Sequence, residues 1–92
     1  MAGVINPLMY KSLLTASHDL NDISDGIYHT ANMDNPANVP SGAYNNIIIQ
    51  ITNNTRQDKM QLMYSINNQK WFTRCKSSSS EWISWKKFAL ED

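Results

Sequence analysis

Apolar and polar positions alternate through the second half of the chain. Over residues 43–52, Ile47, Ile49 and Ile51 share one side, and Ile48 is the only large aliphatic on the other. A β-branched run of this kind, bounded by Asn pairs, predicts a central strand. Residues 59–66 alternate as cleanly, with Met60, Leu62, Tyr64 and Ile66 opposed to Gln61, Met63 and Ser65, which predicts a second strand. Lys70–Lys76 and residues 81–88 are expected to follow as further strands. The breaks between them are turn formers: Asn53-Asn54-Thr55, Asn67-Asn68-Gln69 and the four serines 77–80. Asn tolerates left-handed geometry, and connections this short join antiparallel neighbours. Upstream, Ser24-Asp25-Gly26 is a turn signal ahead of a short strand of Ile27, Tyr28 and His29. Residues 30–42 hold three Asn, two Pro and one Gly with no period, and end in the tight turn Pro40-Ser41-Gly42. The expectation is a mainly β protein, a small antiparallel meander.

Residues 1–17 follow a different period. Asn6 suits an N-cap, Pro7 stands where a first-turn proline is tolerated, and Ile5 is expected to pack on Tyr10 as a hydrophobic staple. Met9 with Leu13, and Tyr10 with Leu14, are spaced four apart, which predicts a short N-terminal α-helix. A helix of about nine residues is marginal alone in water, where roughly 12–15 are needed. Leu8, Met9 and Leu13 are therefore expected to dock on a partner subunit. The organisation expected is a lead-in helix and oligomerisation segment over residues 1–17 and one β domain over residues 18–92.

Charge and composition narrow the function classes. Eight basic and eight acidic side chains cancel, which leaves no electrostatic footprint for nucleic acid or an anionic membrane. Charged residues make up only 17% of the chain, so the polar surface falls to Asn, Ser, Thr and Gln, a composition suited to meeting sugars or identical subunits. Cys75 is the one cysteine; it rules out an intrachain disulfide and reads as a small buried hydrophobe. No basic-then-apolar leader and no apolar run of about 20 residues is present, so neither a signal peptide nor membrane insertion is expected.

Enzymatic chemistry finds no constellation. His18 and His29 stand eleven apart, outside the spacing of a two-His metal site on one element. Asp19, Asp22, Asp25 and Asp34 sit in turn or cap contexts, where a carboxylate bonding nearby backbone N–H groups is the plain reading. With 3 Gly in the chain there is no phosphate-cradling loop, and Lys86 and Lys87 read as a solvated strand edge. No cofactor, no metal and no catalysis are expected. Sugar binding remains: aromatic faces stack on pyranose rings while Asn and Arg bond the hydroxyls. Trp71, Tyr44, Asn45, Asn46 and Arg74 are the candidate glycan residues, while Tyr28, Ile47, Ile49, Trp82 and Trp85 are expected to make the core.

Several short motifs fall in an order that resembles a known family. Asp19-Leu20-Asn21, Gly26-Ile27-Tyr28, Pro40-Ser41-Gly42 before an aliphatic strand, Phe72-Thr73-Arg74, and Trp82-x-Ser84-Trp85-Lys86-Lys87 together resemble the pyocin-knob-type domain. That family occurs in tail fibres of bacteriophages and of phage-derived bacteriocins, and the likeness covers residues 19–88. The lead-in Gly3-Val4-Ile5-Asn6-Pro7-Leu8 through Leu14 is similar to the short helix that joins shaft to knob in such fibres. The resemblance implies a homotrimer in the virion, made in the bacterial host cytoplasm. Its implied role is receptor binding at the host cell surface, with a surface polysaccharide as ligand. The alternative is a structural protein, a capsid decoration or head fibre, whose partners are other virion proteins.

Overall fold

The computed structural model describes residues 9–88. Six strands form one sheet in chain order: β1 (Tyr10–Leu13), β2 (Gly26–His29), β3 (Asn46–Thr52), β4 (Lys59–Ser65), β5 (Lys70–Lys76) and β6 (Lys86–Phe88). From β2 to β6 every neighbour is antiparallel, the expected meander, while β1 runs parallel to β2 and makes the sheet mixed.

The helix expected over residues 1–17 is not what residues 10–13 form. They are the edge strand β1, held by Ile27 N donating to Met9 O at 2.9 Å and Leu14 N to His29 O at 2.8 Å. An isolated nine-residue helix gains little in water, whereas an open sheet edge offers a ready row of backbone partners. Asn6, Pro7 and Leu8 lie outside the described residues. Gly26 permits the close approach of β1. Its φ is +149°, and a Cβ there would stand 2.5 Å from Lys11 Cγ and 3.0 Å from Met9 O, contacts no other residue type avoids.

The turns follow side-chain chemistry. Asn53 Oδ1 accepts from Thr55 N at 2.9 Å and Arg56 N at 3.3 Å, an Asx turn closed by Gln57 N donating to Asn53 O. Gly42, at φ +81°, is the third residue of the turn in which Ala43 N donates to Pro40 O, the position where a type II turn needs positive φ. In the β4–β5 hairpin it is Gln69, at φ +55°, and neither Asn that takes the left-handed conformation.

Only one face of the sheet is covered, and loops cover it. Leu14, Leu20 and Ala43 from the irregular segments pack with Tyr28, Ile48, Met63 and Phe72 from the strands; Ile23, Val39 and Trp85 close the margin. Each fully buried Leu, Ile or Met side chain contributes about 1.5–3 kcal/mol. Tyr28 keeps its polar end satisfied by donating its hydroxyl to Ser24 O at 2.8 Å. The register puts Ile48 beside Tyr28 and Met63, and Met63 beside Phe72, across four strands. Ile48, not Ile47 or Ile49, is therefore the core residue of β3: Ile48 is sealed, Ile47 is exposed and Ile49 is half-buried. The expected faces of the strand are right and their assignment to core and surface is reversed.

Candidate functional site

Between the apolar core and the loops lies a belt of polar side chains on the covered face. Gln50, Gln61 and Arg74 are cross-strand neighbours on β3, β4 and β5, and all three are buried. Gln61 Nε2 donates to Leu20 O at 2.6 Å and to Gln50 Oε1 at 2.7 Å. Gln50 Nε2 donates to Ile23 O at 2.9 Å and Asp25 Oδ1 at 3.2 Å. Arg74 Nε donates to Gln61 Oε1 at 2.8 Å. Loops laid over a sheet bring unpaired backbone carbonyls with them, and the amides answer those carbonyls where water cannot.

Arg74 is only 5% exposed, yet its guanidinium has partners on one side alone. Its central carbon lies 4.3 Å from the ring centre of Trp82 and 4.9 Å from that of Trp85, and such contacts stabilise a desolvated cation by about 2 kcal/mol or more. Nη2 is buried without any hydrogen-bond partner. Burial lowers Arg74 to about 10, opposed by the charge of Asp19, so it remains a cation at neutral pH. Asp19 is held below the usual carboxylate range first by the Asn21 N–H and then by Asn38 Nδ2, with Arg74 adding a smaller pull. Beside this cation opens a pocket of about 360 Å³ lined by Asn38, Val39, Arg74, Trp82, Ile83, Ser84 and Trp85. Trp85 is anchored there by donating its indole N–H to Asn38 O at 2.7 Å. Trp82 and Trp85, both expected in the core, are half-buried walls around Arg74, and of the two only Trp85 also packs against the core margin.

The expected glycan residues do not converge. Trp71 and Arg74 point to opposite faces of β5: Trp71 pairs with Tyr64 and Phe88 on the uncovered face, while Arg74 pairs with Gln61 on the covered one. Tyr44 is half-buried just before β3. Asn45 bridges loops, accepting from Asn32 N and donating to Asn67 Oδ1, both at 2.7 Å. Asn46 is fully buried and donates to Thr30 Oγ1 and Ala43 O. Of the five, Arg74 alone reaches a pocket on the covered side, and its partners there are the tryptophans assigned to the core. Spacing carries a signal for this grouping only in the Trp82–Trp85 pair following a buried arginine.

The other face of the sheet has no cover among the described residues. Its rows are Ile51–Met60–Cys75, Ile27–Ile49–Leu62–Thr73 and His29–Ile47–Tyr64–Trp71–Phe88. Ile47, Ile51 and Phe88 are each at least 40% exposed. Cys75, expected to be buried, is exposed on this face. A pocket of about 570 Å³ opens here between Ile51, Met60, Cys75 and Ile83. Met9 and Leu13, expected in assembly, are exposed at the β1 edge of the same sheet.

The carboxylates that a glycosidase would need are turned to the backbone: Asp19 accepts from Asn21 N, Asp25 from Thr52 N and Asp34 from Ala16 N. Among the described residues no three His, Cys, Asp or Glu side chains gather as a metal site, and no helix is long and apolar enough to cross a membrane. No protein family, curated protein or solved structure matches the chain.

Proposed function

We propose that this chain is a non-enzymatic knob of a bacteriophage virion fibre, assembled as a homotrimer, that contacts the host cell surface during attachment. The observation that carries the assembly half is the bare apolar face: soluble monomers rarely leave so continuous an aliphatic and aromatic surface in water. The order and spacing of the sequence motifs support the fibre half. A capsid decoration or head fibre is the second reading, since an apolar face also suits a different virion protein.

Light scattering tests the assembly. Three chain masses are expected for the native protein, and one for Tyr64→Glu, whose charge falls in the middle of the aromatic row; a monomeric native protein overturns the trimer. Purified protein is then offered to host cells and to fibre-free virions. Retention on cells supports the knob, while retention on virions alone moves the chain to the decoration class.

A further inference from the structure

Resting on the host-contact reading, we propose that the cleft formed by Arg74, Trp82 and Trp85 is a binding site for an acidic saccharide, whose carboxylate pairs with the guanidinium and whose ring packs on an indole. Arg74 holds a charge at 5% exposure, with Nη2 unpartnered, beside the two indoles and in the lining of the pocket. The one ion pair among the described residues is Arg56 with Asp58, so no carboxylate of those residues neutralises Arg74 directly. Asp19 is already committed to Asn21 and Asn38. A buried cation with a free donor is costly to leave alone, and a planar carboxylate matches a guanidinium better than any other common anion except phosphate.

The pocket's shape selects the carrier. Its volume of about 360 Å³ lies at the small end of ligand sites, room for one or two sugar rings. Its walls are indole, and its rim offers the Ser84 hydroxyl, a group that bonds ring hydroxyls, beside Asn38, whose Nδ2 is held by Asp19. Nη2 is closed off from solvent, so a ligand reaches it only when a wall of the pocket shifts. Residues 81–85 pair with no strand, and the segment is tied by Ile83 N to Cys75 O and by Trp85 to Asn38.

The probe is trigalacturonate, compared with its carboxyl-reduced, neutral counterpart, and followed by NMR of the indole N–H and Arg74 Nε–H signals of the full chain. Saturable shifts of the Trp82, Trp85 and Arg74 signals are expected, with the neutral sugar at least about tenfold weaker, the scale of a lost charge-assisted pair. Ser84→Glu, at an exposed rim position, places a carboxylate in the cleft and should weaken binding about tenfold or more, while Ser84→Gln stays within about threefold. Equal binding of the neutral sugar, equal binding of a short acidic peptide such as triglutamate, or an unaffected Ser84→Glu protein overturns the site. Cell retention that trigalacturonate does not compete refutes the cleft and spares the fibre reading. Trigalacturonate binding without cell retention does the reverse.

Discussion

The covered and uncovered faces of this sheet are made by the same strands, yet the covered face sets Asn46, Gln50, Gln61, Ser65 and Arg74 among its core of Tyr28, Ile48, Met63 and Phe72, while the uncovered face is mostly isoleucines and aromatics. What lies against each face explains the difference. The covered face meets irregular backbone, whose carbonyls at Leu20, Ile23, Ala43 and Tyr44 accept from Gln61, Gln50, Asn46 and Ser65. A purely apolar face there would leave those carbonyls buried and unbonded, at about 1–3 kcal/mol each. The uncovered face carries no such obligation and is free to be apolar. Polar side chains tie the covering loops to the sheet on one side, and the apolar side chains of the other side have no cover among the described residues.

Substitutions at matched positions sharpen this contrast. The largest expected effect is Met63→Ala, which empties a fully buried site and should lower stability by about 2–5 kcal/mol in urea denaturation. Ile47→Ala, on the exposed face of β3, should cost less than about 1 kcal/mol when measured in the Tyr64→Glu background, which removes the contribution of the proposed assembly. Equal losses would mean that both faces are core.

Next comes Gln61→Leu, which keeps volume but removes the partner of Leu20 O, Gln50 Oε1 and Arg74 Nε. A loss of about 2–3 kcal/mol is expected, with faster amide exchange in the covering loop around Leu20. A neutral result would show that the polar belt does not hold the loops. The smallest effect is Asp25. Burial works to raise its carboxyl, but hydrogen bonds from Thr52 and Gln50, and the charge of Lys59, together hold it below the usual range. A depressed folded value means that the unfolded chain binds the proton more readily. The contribution is therefore full above about pH 4, the unfolded value, and is lost as pH falls through the folded one. Thermal unfolding of Asp25→Asn should match its own neutral-pH value more closely on acidification than the native protein does.

Much of the architecture is legible along the chain. The bounds of β5 follow from the turn formers on either side of it, β4 from its alternation, and the turn at Asn53 from a side chain that bonds its own backbone. The lead-in is misread because Met9, Tyr10, Leu13 and Leu14 fit a helical stripe as well as a strand, and only the neighbouring edge of β2 decides between them. The candidate site is half legible. Arg74 and the tryptophan pair stand out in the sequence, but alternation on β5 puts Trp71 across the sheet from Arg74.

The sequence by itself determined which residues share a face, because a strand's side chains alternate with period two whatever surrounds it. It also determined where the chain turns, since Asn, Gly and Pro constrain their own backbones. Only the tertiary structure decided which face is the inside. That choice depends on whether the covering loops bring carbonyls that need donors, and the carbonyls of Ile23 and Leu20 lie 27 and 41 residues along the chain from the Gln50 and Gln61 amides that meet them. The same packing placed Arg74 under Trp82 and Trp85, a grouping set by the return of the chain after β5.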